Sequence, residues 1–299
     1  MNLFTIKDLE SLSGIKAHTI RIWEQRYSFL KPQRTQTNIR CYSNQELKTI
    51  LNIALLNKYG FKISHIDKMN AEEIQQKLTA LTDTGAQQER LVNVLIGHMI
   101  DMDTRSFEET LEQYIRVRGI EKTITTLIFP FLERIGILWI TEHVNPAQEH
   151  LVTNIIRQKL IVGIESTAPL ISSPKTVLLF LPEGEYHELG LLYLYYLLKS
   201  RGVQVIYLGA NVPMRDVAYI VNVKKPYHLY THITCITGNF KIEKYLNQLR
   251  DLVPAIPIIV SGQLAQSQQK RMNPGIQFKQ SMAEVMDYVA SLQIGRAHV

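Results

Sequence analysis

Residues 176–190 read TVLLFLPEGEYHELG, which passes from a strand pattern through a short loop into the start of a helix. The first six residues form an apolar, β-rich run, and helical spacing of apolar residues follows in HELGLLYLYYLLKSRG (187–202). Further strand-like and helical runs alternate downstream: VQVIYLG (203–209), MRDVAYIVN (214–222), YHLYTHIT (227–234), KIEKYLNQLRDL (241–252) and IPIIVSG (256–262). Such alternation predicts a parallel sheet with helices on both faces, and ligands of such sheets lie beyond the carboxyl ends of the strands. We therefore expect a Rossmann-like, flavodoxin-like α/β domain over residues 174–294.

The preceding region is helical by its apolar spacing. Four segments repeat apolar residues every three or four positions: AQQERLVNVLIGHMI (86–100), DTRSFEETLEQYIRV (103–117), EKTITTLIFPFLERIGILWI (121–140) and PAQEHLVTNIIRQKLIVGIES (146–166). Short joints between them predict a four-helix bundle over residues 85–170. The polar run TDTG at 82–85 is interpreted as a linker.

The first 75 residues form a third predicted domain. TIKDLESLS (5–13) and KAHTIRIWEQR (16–26) are short helical stretches with Gly14 between them, which fits helix-turn-helix geometry. A basic stretch with Pro32 follows. The next helix is predicted to begin after Ser43, because Glu46 three residues later completes a capping-box pattern. Two more short helices are expected within 62–80.

Charge and composition narrow the classes of function. Residues 1–70 hold 11 Lys and Arg against 5 Asp and Glu, whereas residues 71–299 hold 22 of each. A local basic excess favours a polyanionic partner, although a merely basic surface would look the same. Cys41 and Cys235 are the only cysteines, which argues against a disulfide framework and fits a cytoplasmic location. We expect no membrane partner, because no run of about 18 apolar residues occurs.

The N-terminal segment resembles the MerR family of transcriptional regulators over residues 3–60. TIRIWE (19–24) and NIRCY (38–42) match its second helix and its wing, with Trp23 in the usual tyrosine place. The resemblance implies a winged helix-turn-helix that binds double-stranded DNA as a homo-oligomer, a dimer or tetramer, with Trp23 in the core. The DNA-contacting residues predicted on this basis are Lys16, His18, Thr19, Arg21, Arg26, Arg34 and Arg40.

The loop after TVLLFL carries Glu185, His187 and Gly190 in an E-x-H-x-x-G pattern. The pattern resembles the (D/E)-x-H-x-x-G signature of cobalamin-binding domains. The resemblance implies that His187 binds the cobalt of cobalamin from its lower face, displacing the cofactor's own base. Glu185 would orient the other ring nitrogen, and Gly190 would leave room for the displaced nucleotide tail.

Two further elements of that signature have weaker counterparts. The S-x-L element is matched best by Thr231-His232-Ile233, with Thr234 as an alternative serine position, and the G-G element by Ser261-Gly262. Thr231, Ser261 and Gly262 are therefore predicted to contact the tail. His228 and His232 are expected to be packed or surface residues rather than ligands.

A second motif lies in the predicted bundle, where Trp139 is followed after nine residues by Glu149 and His150. W-x9-E-H resembles the upper-face motif of light-responsive, cobalamin-dependent MerR regulators, the CarH/LitR-like group. It implies that these three residues contact the adenosyl group of adenosylcobalamin. The alternative is a core tryptophan and an exposed helix pair. Ile140 occupies the place of a histidine that can ligate cobalt in that group, so His143 or His150 would have to replace it.

Together these motifs predict a transcriptional regulator, not an enzyme, that binds adenosylcobalamin and represses in the dark until light relieves repression. Three alternatives stay open at this point. The first is a cobalamin-binding regulator that ignores light. The second is a corrinoid carrier for methyl transfer, and the third is a MerR regulator whose sensor binds no ligand.

Overall fold

The computed structural model of the protein describes residues 3–140, 144–236, 240–266 and 275–293, except the side chains of Ile137, Trp139 and Ile140. The chain divides into two compact units, Met1–Ile155 and Ile156–Val299.

The first unit begins with a winged helix-turn-helix. Its elements are α1 (Ile6–Ser13), α2 (Ala17–Arg26), β1 (Gln33–Arg34), β2 (Arg40–Cys41), α3 (Asn44–Lys58), α4 (Ile63–Ile66) and α5 (Ala71–Thr79). Gly14 ends α1 with φ of 72°, a left-handed conformation that glycine adopts without strain, and the chain turns there into α2. The wing is the antiparallel pair of β1 and β2. Ser43 and Glu46 form the predicted capping box at the start of α3.

Helix α3 is buried along most of its circumference. Its buried residues are Leu47, Ile50, Leu51, Ile53, Ala54, Leu55 and Leu56. Buried positions spread around a helix mean that other elements pack against it on several sides, and α3 packs against α1 and α5 and against the bundle helix α6 (Thr84–Asp101). Trp23 is 7% exposed and packs in a cluster with Ile53 and Leu56, as predicted for a core residue.

The bundle follows the four predicted segments. After α6 come α7 (Thr104–Arg118), α8 (Ile120–Thr123), a π-helical turn (Ile124–Ile128), α9 (Phe129–Ile140) and α10 (Pro146–Glu165). The interpretation of TDTG as a linker is wrong, because Asp83 accepts a hydrogen bond from Ala86 N and caps α6, which begins at Thr84. The third segment is interrupted at the π-helical turn, which directly precedes Phe129 and Pro130. Proline has no N–H to donate to the carbonyl of Thr126, so the helix widens there.

The second unit contains a five-stranded parallel sheet. The strands are β3 (Thr176–Pro182), β4 (Gln204–Val212), β5 (His228–His232), β6 (Ile258–Ser261) and β7 (Ile276–Phe278). They lie in the order β4-β3-β5-β6-β7, and every pair is parallel. This is the flavodoxin-like order, so the predicted fold class is confirmed for this domain.

Five helices accompany the strands of the sheet. They are α11 (Leu189–Ser200), α12 (Met214–Lys224), α13 (Ile242–Leu252), α14 (Gln263–Gln266) and α15 (Met282–Leu292). Strand β7 and helices α14 and α15 were not predicted. Strand β3 is flanked by β4, which follows it in the chain, and by β5, so the strand order reverses there. The carboxyl ends of β3 and β5 therefore border the crevice in which such sheets bind ligands. Within the described residues, no helix combines the length and apolarity needed to cross a bilayer.

Candidate functional site

Glu185 anchors the loop that follows β3. Its side chain has no solvent exposure, and its two oxygens accept four hydrogen bonds. Oε1 lies 2.9 Å from the backbone N of His187, and Oε2 lies 2.8 Å from the backbone N of both Thr234 and Cys235. Burial raises the pKa of Glu185, but the hydrogen bonds from His187, Cys235 and Thr234 outweigh it and hold the pKa below its ordinary value. An ionised carboxylate therefore ties the end of β3 to the residues after β5.

The His187 ring is oriented by that carboxylate. Its Nδ1 lies 2.6 Å from Glu185 Oε1, and the side chain is 43% exposed. A carboxylate on Nδ1 holds the proton there, so Nε2 is the nitrogen suited to coordinate a metal. The structure thus brings together the two residues that the E-x-H-x-x-G pattern predicted to act jointly. Among the described residues, no three His, Cys, Asp or Glu side chains cluster as a metal site made by protein alone.

The space beside Gly190 is filled by a residue that was not predicted to belong to the site. A Cβ at Gly190 would overlap the imidazole of His232. His232 Nδ1 lies 2.8 Å from Ser261 Oγ, and Ser261 is 3% exposed. Burial lowers the pKa of His232 to about 4, with Glu185 raising it and His187 lowering it, so the ring is neutral near pH 7.

Thr231 is buried on the opposite face of the sheet. Successive residues of a strand point to alternate faces, and Leu229, which shares the face of Thr231, packs in the core cluster that contains Val217 and Leu246. In the part of the chain that the structure describes, Thr231 Oγ1 is buried without a hydrogen-bond partner. Of the two neighbours, His232 and not Thr231 therefore faces Gly190 and Ser261.

Gly262 permits the close approach of two chain segments. Its φ is 99°, and a Cβ there would overlap the backbone of Ile233. Ile233 N in turn donates to Ser261 O at 2.8 Å. A glycine is required at this position to join the ends of β5 and β6.

The W-x9-E-H residues are described in part. Glu149 is 7% exposed in the first turn of α10, and its Oε2 lies 2.9 Å from Nδ1 of His150, whose side chain is 71% exposed. An exposed pair was the alternative to a binding role, and it does not describe the buried Glu149. Trp139 lies in α9, but its side chain and that of Ile140 are outside the described residues, as is all of His143.

A polar network beside His187 was missed at the level of sequence. Glu188 Oε2 lies 2.8 Å from Arg157 Nε, and Tyr207 OH lies 2.6 Å from Glu188 Oε1. The Tyr207 ring stacks on that of Tyr195, with centroids 5.2 Å apart. No spacing rule connects these positions, because they come from α10, the loop after β3, β4 and α11.

The predicted DNA-contacting residues lie on α2, its N-terminal edge and the wing. His18, Arg21, Arg26 and Arg34 are exposed, Thr19 is half-buried, and the Lys16 side chain is 72% exposed, 3.3 Å from Glu10. Arg40 differs from the rest. Its side chain is 26% exposed and paired with Glu24, so it holds the wing to α2.

The chain matches three protein-family descriptions. Residues 4–73 match the MerR HTH family of regulatory proteins, and residues 175–282 and 91–162 match two descriptions of B12-binding domains. The chain is 27% identical over 273 residues to the HTH-type transcriptional repressor CarH of Myxococcus xanthus, covering 89% of this chain and 91% of CarH. It is 30% identical over 210 residues to the repressor CarA of the same organism, covering 70% of this chain and 68% of CarA. The chain belongs to the MerR-type transcriptional regulators with B12-binding domains.

For this MerR-type regulator, the predicted resemblance and fold class are confirmed. A helix-turn-helix is followed by a helical B12-binding region and a parallel-sheet B12-binding domain. The monomethylamine corrinoid protein of Methanosarcina barkeri aligns with 69% of the regulator and 100% of its own chain, at 13% identity and a TM-score of 0.49. Both Myxococcus relatives are transcriptional regulators.

Proposed function

We propose that this chain is a light-relieved transcriptional repressor that binds adenosylcobalamin and double-stranded DNA as a homo-oligomer. Functionally, residues 1–75 read DNA, residues 85–170 cap the cofactor, and residues 174–294 bind its lower face. No catalysis is assigned to it. The Glu185–His187 pair at the carboxyl end of β3 carries this proposal.

The donor set on the lower face fits a corrinoid cobalt. The imidazole of His187 would be the protein's ligand to the cobalt, and the corrin ring would supply nitrogen ligands of its own. Glu185 fixes the ring of His187 through Nδ1, and its charge raises the basicity of Nε2. Because Glu185 is itself held by the backbone after β5, the ligand is oriented before the cofactor arrives.

On the upper face we assign Trp139, Glu149 and His150 to the adenosyl group. When bound, adenosylcobalamin supplies a light-sensitive cobalt–carbon bond, and loss of the adenosyl group removes its contacts with these residues. A ligand shifts an assembly equilibrium only by its difference in affinity between the states. We therefore propose that these contacts favour the oligomer that binds DNA in the dark.

The test is a visible absorption spectrum of the full chain after dark incubation with adenosylcobalamin and removal of free cofactor. We expect the wild type to retain cobalamin, and we expect the His187→Ala variant to retain less, with a shifted spectrum. His65→Ala, a replacement of an exposed histidine in α4, is the matched control. A colourless wild-type protein would remove the cobalamin assignment and leave a MerR-type DNA binder with another signal.

Light and assembly are tested on the coloured protein. Size-exclusion profiles and binding to promoter DNA are compared before and after green illumination. We expect a smaller species with weaker DNA binding after illumination. DNA affinity that is indifferent to adenosylcobalamin in both conditions contradicts the switch.

A second candidate is a cobalamin-responsive regulator that does not sense light. Ile140 favours it, because an aliphatic side chain follows Trp139 where the CarH/LitR-like group can place a cobalt-ligating histidine. Identical oligomer distributions in the dark and after illumination, with cobalamin still bound, would establish this version.

A further inference from the structure

The side chain of His232 occupies the space beside Gly190 that the proposed function assigns to the nucleotide tail of cobalamin. The glycine of E-x-H-x-x-G would make room for the nucleotide tail, yet the room at Gly190 is taken by the His232 imidazole. The lack of a side chain at Gly190 therefore accommodates a protein ring. The Glu185–His187 pair would suit cobalt, whereas the space beside Gly190 that would receive the tail, here called the tail groove, is filled by His232.

The ring is held in this place from two sides. His232 is the last residue of β5 and pairs in register with Ser261 of β6, which puts both side chains on the face that carries Gly190. The 2.8 Å hydrogen bond between His232 Nδ1 and Ser261 Oγ fixes the ring plane, and Ser261 is itself buried. To admit another group beside Gly190, the protein has to break this bond and rotate a buried side chain.

A ligand group can enter the space beside Gly190 only if it displaces the imidazole of His232. A ligand that enters the groove must offer Ser261 a substitute hydrogen bond and must fill the volume that the imidazole leaves. A corrinoid without a nucleotide tail would make neither demand, because it would need only the contact with His187. It also has no base to release from cobalt, so the contribution of His232 is measured by replacing that residue. The two classes of corrinoid therefore differ in the reorganisation that they require of this chain.

We propose that His232 is a specificity-determining residue that closes the tail groove, so that the domain selects corrinoids lacking the nucleotide tail over complete cobalamin. This inference rests on the proposed function. It deepens that function by naming the class of corrinoid, and it gives Ser261 the role of holding His232.

The experiment compares dissociation constants of adenosylcobinamide, which lacks the tail, and adenosylcobalamin, measured in the dark by visible absorption. The full-length wild type is compared with the His232→Ser and His232→Gln variants. We expect the dissociation constant of the wild type to be at least about tenfold lower for adenosylcobinamide than for adenosylcobalamin. A ratio of this size is typical when one steric mismatch separates two ligands of a pocket. His232→Ser should tighten adenosylcobalamin binding by a similar factor and leave adenosylcobinamide unchanged. His232→Gln keeps the volume and the bond to Ser261 and should behave as the wild type.

Each outcome decides something. A wild type that prefers adenosylcobalamin, with a ratio that His232→Ser does not change, overturns the inference while keeping the proposed function. Absence of binding by either corrinoid to any of the three proteins overturns the proposed function and this inference with it. The wild-type ratio alone is not the test, because adenosylcobalamin must also release its own base from cobalt before His187 can bind. Should His232→Ser fail to fold, Ser261→Ala, which removes the hydrogen bond that holds His232, is compared with the wild type in its place.

Discussion

Arg40 of the wing and Glu24 of the second helix form a partly buried ion pair, with 2.8 Å between Arg40 Nε and Glu24 Oε2. Tyr42 OH also donates to Glu24. The wing is thereby fastened to α2, which carries most of the residues proposed to contact DNA, and Arg40 differs from the exposed arginines around it.

Two arginine variants should separate DNA contact from wing support. Arg21→Ala removes an exposed charge on α2, so the slope of log affinity against log salt should fall by about one, measured by fluorescence anisotropy with duplex DNA. Arg40→Met leaves the Glu24 charge without its cation. It should lower the midpoint of thermal unfolding more than Arg21→Ala does. Lys224→Ala, an exposed change in the second unit, should alter neither measurement. Equal melting temperatures for the two arginine variants would contradict the support role.

Glu185→Gln should weaken binding of the cofactor by about 10- to 100-fold, because the amide no longer fixes His187 Nδ1 or raises the basicity of Nε2. Titration of the variant with adenosylcobinamide, followed in the visible range, measures the change without involving the tail groove. Glu183→Gln is the matched control, since Glu183 is exposed two residues away in the same loop. Equal losses in both variants would mean that charge in the loop, rather than the Glu185–His187 contact, matters.

Asn93 of α6 links α3 of the winged helix-turn-helix to α9 of the bundle within the first unit. Its Nδ2 donates to Leu51 O of α3 at 3.3 Å, and its Oδ1 accepts from Arg134 of α9. Asn93→Ala should lower the free energy of unfolding by about 1–3 kcal/mol, because it leaves buried polar groups without their partner. Both tryptophans, Trp23 and Trp139, lie in this unit, so denaturant unfolding followed by tryptophan fluorescence reports on it. The exposed Asn222→Ala should have no effect, and a fluorescence transition unmoved by Asn93→Ala would contradict the contact.

The second unit should lose stability in mild acid. Burial, with nearby Lys175 and Lys279, lowers the pKa of His228 from 6.5 to about 4. Between about pH 6.5 and 4 the unfolded chain binds more protons than the folded chain, so stability falls as the pH falls through that window. His228→Gln should make this decline shallower, measured by far-ultraviolet circular dichroism in denaturant at several pH values. His232 has a similarly lowered pKa and will leave part of the slope in place. The exposed His65→Gln is the control, and an unchanged slope in His228→Gln would contradict the assignment.

The sequence pattern was sufficient for the architecture and for the Glu185–His187 pair, because strand–loop–helix order places a post-strand loop at the carboxyl edge of a parallel sheet. The sequence pattern did not indicate which residue at the end of β5 faces Gly190. Whether Thr231 or His232 faces Gly190 depends on the parity of a strand, and a shift of one residue exchanges the two faces. Only the pairing of His232 with Ser261 resolves it.

Other elements were missed for local reasons. Strand β7 spans only Ile276–Phe278, too short for an alternating pattern, and it exists because it pairs with β6. Asp83 in TDTG reads equally as a linker residue or a helix cap, and its bond to Ala86 N distinguishes them. The Glu188–Tyr207 contact joins residues from separate elements and has no signature along the chain.

Helix α3 has a consequence for how this chain can be divided or recombined. The helix belongs to the DNA reader by sequence, but residues buried around it pack against both α1 and α6, and Lys48 pairs with Asp101 at 2.6 Å. A fragment ending near residue 75 would lack α6, so the apolar surface of α3 that packs against α6 would be exposed to solvent. Exposed apolar surfaces favour aggregation. A chimera that joins this winged helix-turn-helix to another sensor domain would need to include α6, or a helix of similar shape, to cover α3.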